Sequence, residues 1–79
     1  MSGLTLYTAS WCGFCKRLMG RLDKSGVEYT EIDIEADDEA AAFVERTNDG
    51  DRTVPVVVYP DGSVATNPAP ADVLTAVGG

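Results

Sequence analysis

One amphipathic helix pattern lies between two strand patterns near the start of the chain, and this arrangement limits the folds that the chain can adopt. Residues 4–8 alternate apolar and β-favouring side chains, and residues 27–34 alternate in the same way. Between them, apolar side chains recur at helical spacing, at Phe14, Leu18 and Leu22. This helical pattern begins at Cys12 and stops near Ser25 and Gly26. We therefore predict two parallel strands joined by a right-handed helical crossover.

A second helix and a hairpin are expected in the middle of the chain. Asp37 and Asp38 can cap a helix that ends near residues 48–50. Residues 56–59 are nearly all apolar, which is typical of a strand covered on both faces. The turn-forming sequence Pro-Asp-Gly-Ser follows, and it leads into a fourth strand at residues 64–66. The last two strands are therefore predicted to form an antiparallel hairpin.

A third helix closes the chain. It is expected to begin, with a cap, near Pro70, and three apolar residues recur at core spacing, at Val73, Leu74 and Val77. The final Gly78 and Gly79 are expected to fray. The order β-α-β-α-β-β-α predicts an α/β fold in which a four-stranded mixed sheet is flanked by three helices. We expect residues 1–79 to form a single domain.

The charge balance excludes several classes of partner. The chain has 13 acidic and 6 basic residues and no histidine, so its net charge of −7 argues against a broad nucleic-acid or anionic-membrane surface. The first ten residues show no signal-peptide pattern, and no segment approaches the roughly 20 apolar residues that span a bilayer. We expect a monomeric cytoplasmic protein without nucleic-acid or membrane partners. In that reducing compartment, neighbouring cysteines are more often catalytic or metal-binding than structural.

The two cysteines, Cys12 and Cys15, fall where the first strand ends and the first helix begins. A helix N-terminus presents unpaired N–H groups and a partial positive charge, which favour a thiolate at Cys12. Cys15 lies deeper in the first turn, close enough to form a disulfide but less open to attack from solvent. We predict that Cys12 is the nucleophile and that Cys15 is the resolving thiol.

Other interpretations of the same residues stay open. A structural zinc site needs four ligands, and this chain has no third cysteine and no histidine, so no zinc or other metal site is expected within one copy. An iron–sulfur cluster bridged between two copies, or an inert cysteine pair, remains an alternative. Trp11 and Phe14 can shield the sulfurs and offer apolar surface to a partner, but packing in the core or at its rim would explain them equally well.

Three motifs together resemble the glutaredoxin branch of the thioredoxin superfamily. These are "WCGFC" after the first strand, "TVP" further along the chain and "DGS" in the hairpin before the last helix. The resemblance covers essentially the whole chain and implies a thioredoxin-like fold and a thiol–disulfide oxidoreductase. It also implies that the Val54–Pro55 bond is cis, that Pro55 packs against the active-site disulfide, and that the backbone of Val54 pairs with a bound thiol or peptide.

Within this branch, glutaredoxins that use glutathione usually carry Pro-Tyr between the cysteines, a lysine shortly before them and a Gly-Gly-x-Asp-Asp-like segment before the last helix. The corresponding places in this chain hold Gly13-Phe14, Ser10-Trp11 and Thr66-Asn67-Pro68. The combination of "SWCGFC", "DGDRTVPVV", "DGS" and "TNP" is similar to the mycoredoxins, which work with mycothiol. The resemblance therefore implies mycothiol as co-substrate in preference to glutathione, with Thr66 and Asn67 near its polar sugar–inositol body.

The resemblance implies a cycle in which Cys12 attacks the mixed disulfide between a protein and mycothiol. No tightly bound cofactor is expected, and mycothiol with its reductase would supply electrons. The candidate substrate-binding residues are Trp11, Gly13, Phe14, Arg52, Thr53, Val54, Pro55, Thr66 and Asn67. Arg52 can attract a partner or simply be a solvated charge, and Thr53 can orient the thiol or simply favour a strand.

Two other functions are kept beside this one. The first is a dithiol redoxin that is reduced by thioredoxin reductase and donates electrons to ribonucleotide reductase or other proteins. Such redoxins are expected to carry a "WSGFRP"-type stretch near Thr66, and this chain has none. The second is a non-enzymatic module that binds proteins or bridges an iron–sulfur cluster. The acidic stretch at residues 35–39 is interpreted only as the solvated start and cap of the second helix.

Overall fold

A computed structural model describes residues 3–77, and its seven elements follow the predicted order. The strands and helices are β1 (Leu4–Thr8), α1 (Gly13–Lys24), β2 (Tyr29–Asp33), α2 (Asp38–Thr47), β3 (Val56–Val58), β4 (Val64–Thr66) and α3 (Pro70–Ala76). The sheet order is β2-β1-β3-β4, with β1 and β2 parallel and the other neighbours antiparallel. The predicted mixed sheet and helical crossover are therefore confirmed.

The end of α1 explains why β2 is shorter than predicted. Gly26 adopts a φ of 70°, a left-handed conformation that favours glycine, and the chain reverses there. The backbone N–H of Val27 then donates to the carbonyl of Leu22 at 3.0 Å. Because this bond ties Val27 to the helix end, β2 begins only at Tyr29 rather than at residue 27.

The start of α2 depends on one of the two predicted caps. The Asp37 carboxylate accepts from the backbone N–H groups of Glu39 and Ala40, at 3.0 and 3.2 Å. Asp38 is already the first helical residue, where its charge suits the positive end of the helix dipole. The helix ends at Thr47, just before the predicted stop at residues 48–50.

The hairpin and α3 depart from prediction at their ends. β3 stops at Val58, one residue early, and the N–H of Tyr59 then closes the turn by donating to the carbonyl of Ser63 at 2.8 Å. The start of α3 makes no side-chain cap, because Ala69 occupies the capping position. The prediction of a capped third helix is wrong in that respect, and Pro70 as first residue alone marks its start. The predicted fraying at residues 78–79 lies outside the described residues.

Two apolar clusters hold the helices on the sheet. One joins β1, α1, β3 and α3 through Leu4, Leu6, Leu18, Leu22, Val57 and Val73. The other joins α2 to the sheet and includes Ala40, Ala41, Val44 and Val56. Cys12 and Cys15 belong to this second cluster, so the two thiols lie at the end of β1 where the core reaches the surface. Of the three predicted core residues of α3, Val73 is fully buried, while Leu74 and Val77 are half-buried against the first cluster.

Within residues 3–77, the helices are all too short or too polar to cross a membrane.

Candidate active site

Cys12 occupies the N-cap position of α1, as the strand-to-helix junction predicts. A turn from Ala9 to Cys12, closed by a backbone bond of 3.1 Å, brings the chain from β1 to the helix. The backbone N–H of Cys15 donates to the Cys12 sulfur, with 3.2 Å between N and Sγ. The Cys12 thiol in turn faces the carbonyl of Val54 at 3.5 Å. The Cys12 sulfur is thus held between a helix-end N–H and a backbone carbonyl, at the predicted start of the helix.

Cys15 is the more enclosed of the two thiols. Both cysteines are free thiols in this structure, but Cys15 has no exposed surface, whereas Cys12 is 4% exposed and lies in a surface cleft. Burial, reinforced by the neighbouring Cys12 thiol, raises the pKa of Cys15 to about 12. The two sulfurs therefore differ in access, and Cys15 stays protonated at neutral pH.

This difference predicts selective alkylation. At pH 7 to 8, iodoacetamide is expected to modify the native protein once, at Cys12, because only a thiolate reacts readily and the pKa of Cys15 is about 12. Peptide mass spectrometry after a timed reaction locates the label. A denatured sample, in which the burial is lost, is the control and should take up two labels. Equal labelling of both cysteines in the native protein would contradict the assignment.

A cleft of about 520 Å³ opens over Cys12. It is lined by Trp11, Cys12, Gly13, Phe14, Asp51, Arg52, Thr53, Val54 and Asn67. Trp11 and Phe14 are 64% and 61% exposed, so they form walls of the cleft and do not pack in the core. Of the residues that the sequence singled out, Cys15 and Pro55 lie buried outside this lining, and Thr66 also lies outside it. Asp51 is the one lining residue that the sequence analysis did not name.

The segment before Pro55 is held by contacts that the sequence did not reveal. The Val54–Pro55 peptide bond is cis, which confirms that prediction. The side-chain amide of Asn48 donates to the carbonyl of Thr53 at 3.0 Å and accepts from the hydroxyl of Thr66 at 2.7 Å. Asn48 therefore links the "TVP" segment to β4, and it accepts a hydrogen bond from the Thr66 hydroxyl, a predicted substrate contact. The only sequence signal for Asn48 is its place at the end of α2.

Asn67 and Arg52 complete the cleft from two sides. Asn67 adopts a φ of 48°, and its backbone N–H donates to the carbonyl of Pro55 at 2.7 Å. The guanidinium of Arg52 pairs with the Glu45 carboxylate at 2.9 Å while its side chain stays 66% exposed. Arg52 is thus a solvated charge that also borders the cleft, and its charge is already compensated within the protein.

Glu35 contacts the active-site turn from the loop between β2 and α2. One oxygen of its carboxylate accepts from both the hydroxyl and the backbone N–H of Ser10, at 2.7 and 3.2 Å. The same Ser10 groups, with the Trp11 side chain, hold the pKa of Glu35 below its ordinary value. The interpretation of residues 35–39 as only a helix start is therefore wrong for Glu35, which lies before α2 and ties the β2–α2 loop to the turn that carries Cys12.

This contact predicts a pH-dependent link. Because its pKa is lower when the protein is folded, the Glu35 carboxylate adds stability above the unfolded-state pKa, and this is lost as the pH falls through the folded-state value. In Ser10→Ala, the titration midpoint of Glu35, followed by carboxyl carbon NMR, should rise towards its ordinary value. Asp61, whose pKa is lowered by Ser63, is the internal control and should not change. An unchanged Glu35 midpoint would show that the Ser10 hydroxyl does not bind it in solution.

The grouping of possible metal ligands can be stated for the described residues. Within the described part of the chain, no three His, Cys, Asp or Glu side chains are grouped so that they could hold a metal ion. The two cysteines offer at most two sulfur ligands. The cluster bridged between two copies is not tested by a single copy and stays a prediction.

Known proteins of similar sequence agree with the redox role that the two cysteines indicate. The family model described as Glutaredoxin matches residues 4–64. The chain belongs to the glutaredoxin family. Mycoredoxin 1 of Corynebacterium glutamicum is 46% identical over 77 residues, covering 98% of this chain and 95% of that protein. A protein of Mycobacterium tuberculosis that carries the glutaredoxin name is 49% identical over 72 residues, covering 91% of this chain and 86% of its own length.

Solved structures of the family share the fold. The glutaredoxin from Archaeoglobus fulgidus superimposes with a TM-score of 0.74 at 26% identity, covering all of this chain and 89% of that one. The NrdH-redoxin from Escherichia coli gives a TM-score of 0.76 at 24% identity, with 91% of each chain covered, and this likeness concerns the fold alone. The predicted glutaredoxin resemblance and thioredoxin-like fold are confirmed, and the protein is a thiol–disulfide oxidoreductase with two cysteines close together.

Proposed function

We propose that the protein reduces mixed disulfides between proteins and mycothiol, with Cys12 as the nucleophile. The observation that carries the proposal is the asymmetry of the two thiols: Cys12 lines an open cleft, while Cys15 is fully buried with a raised pKa of about 12. One cysteine beside the cleft and one away from it suit a cycle in which one thiol is exchanged for another. The likeness to Mycoredoxin 1 supports the choice of mycothiol.

The proposed cycle consists of two exchange steps. The Cys12 thiolate attacks the mycothiol sulfur of the substrate, the protein–mycothiol S–S bond breaks, and the protein thiolate leaves and takes up a proton. A second mycothiol thiolate then attacks the mycothiol sulfur that is bound to Cys12. The products are mycothiol disulfide and the free Cys12 thiolate. A reductase using NADPH returns the mycothiol disulfide to two thiols, so no tightly bound cofactor is needed.

The cleft offers a place for the low-molecular-weight half of this substrate. Trp11 and Phe14 supply apolar walls, and Thr53, Val54 and Asn67 also line the cleft. A Cβ at Gly13 would meet no other atom within 4 Å, so packing does not require a glycine there. We infer that Gly13 keeps the approach to Cys12 open. Thr66, whose hydroxyl is taken by Asn48, contributes through that link rather than through direct contact.

The charges around the cleft favour a thiol without carboxylates. Arg52 is the one cation among the described lining residues, and it is paired with Glu45. Asp51 adds a negative charge to the same rim. Glutathione carries two carboxylates, and the lining of this cleft itself offers them only the paired Arg52, whereas the sugar–inositol body of mycothiol is neutral. This supports mycothiol as the co-substrate.

A dithiol cycle driven by thioredoxin reductase is the second candidate. It is favoured by the contact of 3.2 Å between the Cys15 N–H and the Cys12 sulfur, which places the second cysteine beside the first. In that cycle, Cys15 resolves the mixed disulfide and leaves an internal disulfide. The two candidates differ in their electron source.

The deciding experiment compares electron sources for one protein–mycothiol mixed disulfide. Wild type and Cys15→Ser are each assayed with mycothiol, its reductase and NADPH, and separately with thioredoxin reductase and NADPH. We expect NADPH consumption only with the mycothiol system, and it should survive in Cys15→Ser. Consumption only with thioredoxin reductase, lost in Cys15→Ser, would establish the dithiol cycle and refute the use of mycothiol.

The remaining assignments stay predictions. We place the protein in the cytoplasm as a monomer, since a thiol pair that must stay reducible suits a reducing compartment. The non-enzymatic alternative, a module bridging an iron–sulfur cluster, predicts a brown protein with visible absorbance. A colourless and catalytically active sample would refute it.

A further inference from the structure

The charges of this protein are strongly separated along the chain. Helix α1 holds four of the six basic residues and one of the thirteen acidic residues, so it carries a net charge of +3 while the rest of the chain carries −10. The helix begins directly at Cys12. A positively charged element therefore borders the reactive sulfur in a protein that is otherwise acidic.

The four cations lie on the exposed side of α1. We call this surface the basic face, and it consists of Lys16, Arg17, Arg21 and Lys24. At 100° per residue these positions fall opposite the buried side of the helix, which carries Cys15, Leu18 and Leu22. None of the four makes an ion pair within residues 3–77, where Arg52 with Glu45 is the one salt bridge. Asp23, the single acid of α1, accepts from the Tyr29 hydroxyl at 3.0 Å.

The stability of the helix accounts for only two of these four cations. Arg21 and Lys24 lie in the last turn, where positive charge suits the helix dipole. Lys16 and Arg17, however, are the fourth and fifth residues of α1, near the positive end, and no acid accompanies them in the first turn. Arg17 and Arg21 are also four residues apart, a spacing at which like charges repel. Neither the helix dipole nor an ion pair within residues 3–77 therefore explains Lys16 and Arg17, which leaves both cations available to an outside group.

The basic face is continuous with the active-site cleft. A second cleft of about 260 Å³ lies between α1 and the segment before α3, and Arg17 and Phe14 contribute to its wall. Phe14 and Asn67 line both clefts, so the exposed ring of Phe14 stands between them. A group bound beside Cys12 in the first cleft can therefore extend past Phe14 onto α1.

We propose that the basic face is the docking surface for an acidic polypeptide segment that carries the disulfide cysteine of a protein substrate. The proposal rests on the exchange at Cys12 in the proposed function and names the kind of protein that it serves. The low-molecular-weight half of the mixed disulfide lies in the first cleft, and the acidic segment crosses Phe14 to Arg17 and Arg21. The remainder of the protein, at −10, repels the same segment, so attraction and repulsion together orient the substrate.

The test uses two synthetic peptides of equal length, each with one cysteine in mixed disulfide with 2-mercaptoethanol. One peptide has Asp and Glu around the cysteine, and the other has Asn and Gln at the same positions. The single-turnover rate at which reduced protein releases the peptide thiol is measured for both. At low ionic strength we expect the acidic peptide to react about tenfold faster, and salt at about 300 mM should remove most of this preference.

Two variants with the same kind of charge reversal locate the effect. In Arg17→Glu/Arg21→Glu, the rate ratio of the two peptides should fall to about one or below, because the acidic segment is now repelled. In Arg46→Glu, on the exposed end of α2, the ratio should stay above that of the double variant and close to wild type. Because 2-mercaptoethanol replaces mycothiol, a failed electron-source experiment would refute mycothiol without affecting this ratio.

Two results would overturn the proposal. Equal rates for both peptides in the wild type would show that the basic face does not recognise acidic segments, even if the exchange itself proceeds. Co-sedimentation of the wild type, but not of the double variant, with phosphatidylglycerol vesicles, together with equal peptide rates, would assign the basic face to an anionic lipid surface instead.

Discussion

Serine in place of Cys12 is expected to lower turnover of a protein–mycothiol mixed disulfide by at least about a thousandfold, because the variant lacks the attacking sulfur. Cys12 is the thiol that lines the cleft and receives the Cys15 N–H at 3.2 Å, and no other described side chain offers a sulfur at that place. The measurement is NADPH consumption in the assay coupled to mycothiol and its reductase.

Cys15→Ser is the matched control, since it removes a sulfur of the same kind from the buried position. It is expected to retain turnover, because the proposed cycle uses one thiol. Loss of the ability to form an internal disulfide can even increase the rate at which Cys12 returns to the cycle. Equal loss in both variants would contradict the monothiol cycle and favour the dithiol redoxin.

Leu22→Ala is expected to cost about 3 kcal/mol of unfolding free energy, because it opens a cavity in the cluster that holds α1 on the sheet. Leu22 is fully buried and packs in one cluster with Leu4, Leu6 and Val73. In a domain of this size, such a loss lowers the melting temperature by about 15 °C. Thermal unfolding followed by circular dichroism at 222 nm measures it.

Val64→Ala provides the comparison, since Val64 is 41% exposed and removing its methyl groups leaves no enclosed cavity. Its melting temperature should stay within a few degrees of the wild type. If the two variants lost similar stability, the cluster around α1 would not be the main support of the fold.

The elements that could be predicted are those with a regular period. The alternation in β1, the apolar spacing of α1 and the apolar run of β3 each reflect a face that must be buried, and these strands and helices lie where predicted. The position of Cys12 at the start of α1 could be predicted because the alternating pattern of a strand ends, and the helical spacing of apolar residues begins, at that point of the sequence. The "TVP" segment was placed correctly because it matches a family motif, and its cis bond was inferred from that likeness.

The contacts that the sequence did not reveal join loops across the fold. Glu35 reaches Ser10 across 25 positions, and Asn48 reaches Thr66 across 18, so no local pattern marks either pair. Element ends were missed for a related reason, because single hydrogen bonds decide them. The N–H of Val27 donates to the carbonyl of Leu22. The alternating pattern of residues 27–34 placed Val27 in the strand and gave no sign of that bond.

Trp11 gives the protein a built-in optical reporter. It is the only tryptophan of the chain, it is 64% exposed, and it lies in the wall of the cleft beside Cys12. All indole fluorescence therefore originates at one place, next to the sulfur that reacts. Emission from unlabelled protein can follow both oxidation of the cysteine pair and the arrival of a bound group in real time, without any introduced dye.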